Sequence, residues 1–465
     1  MSVHALVIML WQRVQYLERR VTELEAQLVQ RRHRGSSAPT APPTDAEASP
    51  TADEQAAAVT PGASTRRSSG RAPGGQPGHE GHGHALLAAN DTIEVKPPAC
   101  RQCGRALSGD DPHPRRHQCI EVPPVQPWVT EYRLHALRCA HCDLLTEADL
   151  PAGVPRSPFG ASVHAWVGLL SGGYRQSKRN VTALLSDAFR IALSPGTVCR
   201  LEQTVSAAVA APVAAAQAYV RQQEAVNLDE TSFRQGTLTT WLWTAATAKV
   251  TVFAIRLSRG RDVVRELLGE ATRAIVGSDR YVAYSDRAPQ MRQVCWAHLA
   301  RNFKVFVERG GTAAVIGQTL LEQVDTLFHW WHRVRDGTLE RSSFQTYVAG
   351  LRHRVHMELW YGQQLADDKT AATCREILAV EPALYTFVRR DDVQPTNNSA
   401  ERALRHGVIW RKTSFGTQSD AGTRYVERML TVRDTLRQQQ RSMLEFLTQA
   451  CQAALQQTAP PSLLP

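Results

Sequence analysis

The segment AVNLDETSF at residues 225–233 begins a series of short runs that are rich in β-branched and aromatic residues. The series continues, in chain order, with TWLWTAAT (240–247), VTVFAIRL (250–257), DVVRELLGEA (262–271), AIVGSD (274–279) and QVCWAH (293–298). DVVRELLGEA has the apolar spacing of a helix, whereas the other runs have the length and composition of strands. The segment therefore predicts three strands, a helix, a fourth strand and one further strand.

This order of elements is typical of a ribonuclease-H-like α/β fold, in which the first and fourth strands lie side by side at the sheet centre. Asp229 lies in the first strand and Asp279 ends the fourth, so we expect their carboxylates to meet. Two buried charges without a function are costly, although a single acid at a strand end is most often only capped or exposed. Glu230 faces the opposite side of the sheet by alternation, and Asp286 lies in a loop beyond the strand, so neither is chosen.

Phosphodiester cleavage without a covalent intermediate uses two divalent cations, and Mg²⁺ prefers carboxylate oxygens. A site with this chemistry would need a third acid beside the two aspartates. The run TNNSAERALR at residues 396–405 supplies Glu401, on a predicted helix that Asn398 or Ser399 caps. Glu427, on the next predicted helix, is the alternative ligand. Basic residues that follow Glu401 are candidates for DNA phosphate contacts, although surface arginines are usually only solvated. They are Arg402, Arg405, Arg411 and Lys412.

Several motifs of this chain occur in a specific order. They are GRAPGGQPGHEGH with two CxxC pairs, NLDETSF, GSDRYVAY, CWAHLARNF and NNSAERALRHGVIWRKTSFGTQSDAG. Together they resemble the insertion sequence 66 family of DDE transposases. The resemblance covers nearly the whole chain and implies that Asp229, Asp279 and Glu401 form a metal-binding catalytic triad in a ribonuclease-H-like domain. The chain departs from the family pattern at Thr396, where an acid is common, and at Arg280, where glycine is more usual.

The charge of the chain favours a polyanionic partner. Its 465 residues contain 54 Lys and Arg against 44 Asp and Glu, a formal net charge of +10, so nucleic acid is the first candidate. No apolar run is long enough to span a bilayer, and the apolar start at residues 5–11 lacks the basic cluster and cleavage site of a signal peptide. We therefore expect a cytoplasmic, nucleoid-associated bacterial protein without a membrane partner.

The cysteines predict one structural zinc ion. Two CxxC pairs, formed by Cys100, Cys103, Cys139 and Cys142, can fill the four positions of a tetrahedral site. The run between them, QCIEVPPVQPWVTEYRLHALRC, is interpreted as a strand pair that returns the chain. Cys119 is interpreted as a buried residue and not as a ligand. A further pair, Cys295 and His298, has the spacing of half a zinc site; since no second half is nearby in sequence, His298 is assigned only a secondary role at the cleft.

The chain outside the β-rich segment is predicted to be mostly helical. Apolar residues recur every seven positions over residues 3–28, which favours a dimerising coiled coil over a lone amphipathic helix. SKRNVTALLSDAF and SPGTVCRLEQTV resemble a helix-turn-helix, with Ser194 as N-cap before Pro195; two packed helices without a DNA contact are the alternative. Residues 310–390 form a helical insertion, in which Trp330 and Trp331 are assigned to the core rather than to base stacking.

The predicted architecture is multidomain: an α/β ribonuclease-H-like catalytic core with a helical insertion, an N-terminal coiled coil and a small zinc-binding module. Its segments are a coiled coil (1–30), a disordered linker (31–98), the zinc module (99–150), a helix-turn-helix-like DNA-binding region (151–221), the first part of the catalytic domain (222–309), the insertion (310–390), the catalytic-glutamate helix (391–415) and a C-terminal helical region (416–465).

The function that follows is DNA transposition. The enzyme would bind the terminal inverted repeats of an insertion sequence and join them to target DNA with two Mg²⁺ or Mn²⁺ ions per active site. It would act as a homodimer or higher assembly, with companion proteins encoded by the same element as further partners. The alternatives are a non-catalytic DNA-binding regulator derived from a transposase and a metal-dependent nuclease that cuts without joining.

Overall fold

A computed structural model describes residues 85–465. The predicted coiled coil at residues 1–30, and residues 31–84 of the predicted linker, lie outside the described residues. The described chain divides between Cys119 and Ile120 into two units. In the first unit, Ala99 pairs with Ala106 in an isolated antiparallel bridge around the first CxxC pair.

The second unit begins with a two-stranded antiparallel hairpin, β1 (Ala136–Arg138) and β2 (Leu145–Glu147). The strand pair predicted between the two CxxC pairs is therefore wrong: residues 120–135 form no strand, and the hairpin instead encloses the second pair. Pro123, Pro124 and Pro127 lack the N–H that a ladder requires. Trp128 is 95% exposed and has no apolar layer to pack against.

Helices hold most of the regular structure in the rest of this unit. The α-helices are α1 (Ala161–Gly168), α2 (Lys178–Phe189), α3 (Pro195–Ala208), α4 (Ala210–Arg221), α5 (Arg261–Leu268), α6 (Trp296–Arg309), α7 (Gly311–Arg335), α8 (Arg341–Gly362), α9 (Asp368–Ala379), α10 (Thr386–Arg389), α11 (Asn398–Ser414), α12 (Asp420–Gln438) and α13 (Met443–Gln456). The strands are β3 (Ala225–Gln235), β4 (Leu238–Ala246), β5 (Thr251–Arg256), β6 (Ile275–Ser278) and β7 (Arg292–Val294).

These five strands form one mixed sheet in the order β5-β4-β3-β6-β7. β3, β4 and β5 pair antiparallel as a meander, whereas β3 with β6 and β6 with β7 pair in parallel. The chain reaches β6 through α5, the crossover that a parallel pair requires. The predicted order of strands and helix is therefore confirmed, and so is the pairing of the first strand with the fourth.

Two large apolar cores lie on either side of the sheet's parallel edge. The first combines the strands with α4, α5, α12 and α13. The second is built from α6 to α10 and contains Trp331, which is 6% exposed and packs against Phe344 and Phe387. The assignment of Trp331 to the core is confirmed. Trp330 is half-buried and packs against Tyr347 with the two rings tilted.

The predicted helix pair before the sheet is present as α2 and α3. Ser194 is the N-cap of α3, its hydroxyl accepts the N–H of Thr197 at 3.1 Å, and Pro195 is the first helical residue. The two helices pack with α1 around a small core that includes Val181, Leu185 and Val198. Among residues 85–465, no helix combines the length and the apolar character that crossing a bilayer requires.

Candidate active site

The register of the central strands places two aspartates at the same level. Asn227 of β3 lies opposite Gly277 of β6. Asp229 and Asp279, each two residues further on, therefore lie at the same end and on the same face of the sheet. A Cβ atom on Gly277 would lie 2.0 Å from Oδ1 of Asn227, so the close approach of that side chain requires glycine at this position.

Two side-chain amides hold the start of α11 against β3. Asn397 donates from Nδ2 to the carbonyl of Leu228 at 2.8 Å, and Asn227 donates from Nδ2 to Oγ of Ser399 at 2.6 Å. These contacts place Glu401, in the first turn of α11, beside the aspartates. The predicted capping by Asn398 or Ser399 is wrong: the N-cap is Asn397, which makes no side-chain capping bond because its amide anchors the helix to the strand.

The three acids form one electrostatic group. Burial, followed by the charge of Glu230 and then those of Asp279 and Glu401, raises the pKa of Asp229 to about 7. Asp229 and Glu401 line a cleft of about 370 Å³, together with Glu230, Thr231, Leu404, Arg405, Val408 and Ile409. A cluster of this kind disfavours its own ionised state unless a cation is present, and its oxygen donors suit Mg²⁺ or Mn²⁺.

Glu230 and Asp286, which were not chosen as ligands from the sequence, both have protein partners, although Glu230 also lines the cleft and its charge acts on Asp229. Glu230 accepts from Nη2 of Arg259 at 3.0 Å and from the hydroxyl of Tyr284. Asp286 pairs with Arg261 and, at 3.0 Å, with Arg265. Both carboxylates therefore bind protein groups.

Glu427, the alternative third ligand, lies at the β5 edge of the sheet, away from the central strands that carry the two aspartates. Its Oε1 accepts the backbone N–H of Ile255 at 2.6 Å and Nη1 of Arg256 at 2.7 Å. On the same helix, α12, Thr431 accepts the N–H of Phe253 at 3.1 Å. Glu427 thus satisfies the open edge of β5, a role that the sequence did not indicate.

The candidate DNA-contacting residues on α11 differ in whether their charged groups are exposed or bonded to the protein. Arg402, Arg405 and Lys412 are exposed, and Arg405 lines the cleft. Arg411 is half-buried and donates to the carbonyl and hydroxyl of Ser232 on β3. Arg411 therefore holds α11 on the sheet.

Arg280, one of the two departures from the family pattern, links the site to the helical region. Its guanidinium donates to Oε2 of Glu376 at 2.9 Å and to Oδ1 of Asn302 at 3.1 Å. A glycine at this position could make neither contact. The substitution therefore ties the residue after Asp279 to α6 and α9.

Both CxxC pairs lie on tight turns with the same hydrogen bonds. In each turn, the first cysteine accepts at its carbonyl from the residue four positions on, at 2.9 Å, and donates to the residue five positions on, at 2.8 Å. Backbone N–H groups directed at Sγ lower the pKa of Cys100 and of Cys139. The two turns lie in different units, and a shared zinc ion stays a prediction. Cys119, predicted to be buried, is exposed.

Glu401 has two partners on α6. His298 Nδ1 lies 3.4 Å from Oε1, and Arg301 Nη2 lies 3.3 Å from Oε2. Among the described residues, the donor atoms of Cys295, His298 and Glu401 lie within 4.8 Å of one another. The sequence argument found no partner for the CxxH pair, because Glu401 is distant in the chain and no local pattern links the two segments.

Comparison with known proteins gives two findings. Residues 157–425 match the family model described as "Transposase IS66 family". A curated protein from Sinorhizobium fredii (strain NBRC 101917 / NGR234), "Uncharacterized protein y4qI", is 26% identical over 263 residues. The match covers 50% of this chain and 48% of that protein, so the chain spans about half the length of this curated relative.

Proposed function

The chain belongs to the IS66 transposase family, and on that premise we propose that it is a DDE transposase with a ribonuclease-H-like catalytic core. It binds the terminal inverted repeats of an insertion sequence, cuts a strand with water and uses the freed 3′ hydroxyl to attack target DNA. The observation that carries the proposal is that Asp229, Asp279 and Glu401, from three separate elements, lie close enough for the charges of the other two to raise the pKa of Asp229, and that Asp229 and Glu401 line one cleft.

The chemistry of the donor set fits two Mg²⁺ or Mn²⁺ ions. Three carboxylates offer hard oxygen ligands, and burial together with the neighbouring acids raises the pKa of Asp229 to about 7, so a bound cation would favour its ionised form. Bound there, the two ions would activate the attacking oxygen and stabilise the departing one. The protein holds the ligands in place through Asn227, Asn397 and the strand register.

The chain's own residues position the DNA. Arg405, on the cleft wall, and the exposed Arg402 and Lys412 present positive charge along one helix that begins at the acids. Such residues bind phosphates and set the register of a duplex without reading its sequence. We assign sequence reading to other parts of the chain, including α2 and α3.

Further parts of the proposal concern assembly. The CxxC turns hold one structural zinc ion, which elemental analysis of protein purified without chelator would detect. Residues 1–30 dimerise the enzyme, and companion proteins from the same element join it on DNA in the bacterial cytoplasm and nucleoid.

A strand-transfer assay tests the function. The purified chain is incubated with Mg²⁺, labelled DNA carrying the element ends, and a target plasmid. Joined products support a transposase. Cutting without joining would indicate a nuclease, and binding without cutting would indicate a regulator derived from a transposase.

A further inference from the structure

We propose that Cys295, His298 and Glu401 form a second metal site beside the acidic cluster, which takes a thiophilic divalent cation of the Zn²⁺ class. The site shares Glu401 with the proposed catalytic triad. Its existence does not depend on the proposed function, because the three donors are brought together by the fold itself.

The turn at Cys295 directs several backbone N–H groups at the cysteine sulfur. Its Sγ accepts from the backbone N–H of Asn397 at 3.2 Å and from the N–H groups two and three positions on, those of Ala297 and His298. Sγ of Cys100 and Sγ of Cys139 likewise accept from the N–H groups two and three positions on. The CxxH turn thus shares the N–H···Sγ contacts of the two CxxC turns, with an imidazole in place of the second thiol, but its first N–H, that of Cys295, donates to the carbonyl of Ser278 and the chain continues as α6.

Two polar atoms at this site, one on His298 and one on Glu401, have no hydrogen bonds within residues 85–465. In the described part of the chain, Nδ1 of His298 and Oε1 of Glu401 are both shielded from solvent, and neither has a hydrogen-bond partner. Buried polar atoms without partners are rare and costly. The other oxygen of Glu401 faces Arg301, which leaves Oε1 directed at the imidazole.

The distance between these two atoms matches the distance between two ligands of one zinc ion. Nδ1 and Oε1 lie 3.4 Å apart. Two ligands of a tetrahedral zinc ion, with bonds of about 2.0 to 2.1 Å, lie about 3.3 Å apart. One cation would therefore satisfy both atoms without moving either. The Cys295 thiol, whose sulfur lies within 4.8 Å of both, would supply a third ligand after a small side-chain adjustment.

The donor types select the cation. A thiolate and an imidazole favour Zn²⁺ or Co²⁺, whereas Mg²⁺ prefers an all-oxygen shell. Three protein ligands leave one tetrahedral position open, as in zinc sites that bind water or substrate. A cation here would also hold one oxygen of Glu401 and so compete with the carboxylate site for it.

Co²⁺ titration of the metal-free full-length chain tests the proposal, since thiolate ligation of Co²⁺ gives a charge-transfer band in the near ultraviolet. Cys295→Ser and His298→Gln should each bind one equivalent fewer than wild type. Cys374→Ser is the matched control, because Cys374 is equally buried but lies in the helical core. Equal stoichiometry in all four proteins would overturn the proposal. Should Cys295→Ser fail to fold by circular dichroism, the half-buried His298→Gln decides the question.

One further variant separates this proposal from the proposed function. Asp229→Asn should still bind the Co²⁺ equivalent that Cys295→Ser and His298→Gln lose, while losing Mg²⁺-dependent cleavage. Loss of that Co²⁺ equivalent would count against a site formed by Cys295, His298 and Glu401, since Asp229 is not one of its ligands. Normal cleavage by Asp229→Asn would defeat the proposed function and leave the cobalt stoichiometry unaffected.

Discussion

Glu401 and Glu427 lie on consecutive helices against the same sheet, and their side chains are 23% and 15% exposed. Their surroundings differ in one respect. The carboxylate of Glu427 accepts from Ile255 and Arg256 at the edge of β5, whereas Oε1 of Glu401 has no hydrogen-bond partner among the described residues. Burial alone therefore does not distinguish the two glutamates; the difference is that one oxygen of Glu401, beside the acidic cluster, is left without a donor from the described part of the protein.

The same distinction applies to the arginines of α11. Arg411 donates to Ser232 and so stabilises the packing of α11 on β3. Arg405, less than two turns earlier, is exposed at the cleft. One helix thus carries both structural charges and charges available to DNA.

The largest expected effect is the loss of catalysis when one of the three proposed metal-binding acids is neutralised. Asp229→Asn, Asp279→Asn and Glu401→Gln should each reduce cleavage and joining by at least about 10³-fold, because each removes an anionic metal ligand while keeping its shape. DNA binding should be nearly unchanged. Cleavage and strand-transfer rates, with a gel-shift measurement of affinity, check both statements.

Glu427→Gln is the matched control for Glu401→Gln. It should cut at close to the wild-type rate per folded molecule. If it is inactive while Glu401→Gln cuts normally, the third ligand is wrongly assigned and the comparison of the two glutamates fails.

The second effect is on stability. Glu427→Gln should lower the free energy of unfolding by about 1 to 3 kcal/mol, because the charge-assisted bond to Arg256 is lost while the amide oxygen can still accept from Ile255. Denaturant unfolding measures it. Thr431→Val, which removes the next side-chain acceptor for β5, should cost about 1 kcal/mol. An unchanged midpoint in both variants would show that the edge contacts do not stabilise the sheet.

The third effect is the pH dependence of Mg²⁺ binding. The pKa of Asp229 is raised to about 7, and the cation binds the ionised form, so the apparent Mg²⁺ affinity should fall about tenfold per pH unit below 7 and level off above it. Without Mg²⁺, the folded state binds more protons than the unfolded state between pH 3.8 and 7, so stability should decrease as pH rises through that range. Mg²⁺ titrations of the wild type at several pH values test the first statement. Metal-free unfolding at the same pH values tests the second, with Asp229→Asn as the variant that should lose this stability trend.

The smallest effect concerns DNA affinity. Arg405→Ala should weaken binding modestly for every sequence and reduce the slope of log affinity against log salt by about 1, since it removes one phosphate contact. Arg411→Ala should leave that slope unchanged and lower stability instead. A reversed result would mean that the packing role of Arg411 and the DNA role of Arg405 are exchanged.

The sequence determined the features that depend on local pattern. The alternation and length of the apolar runs predicted the order of strands and helix, and the pairing of the first strand with the fourth then brought Asp229 and Asp279 to one level. The N-cap of α3 at Ser194 followed from the same local rules.

Only the tertiary structure decided how distant segments share their polar groups. The strand pair expected in residues 118–139 is missing, the amide of Asn397 anchors α11 to β3 instead of capping it, and Glu427 serves the edge of β5. Cys295 and His298 meet Glu401 across a long interval of chain. Local periodicity indicates which face of an element is apolar. It does not indicate which buried donor bonds to which acceptor, because that pairing depends on how the elements pack.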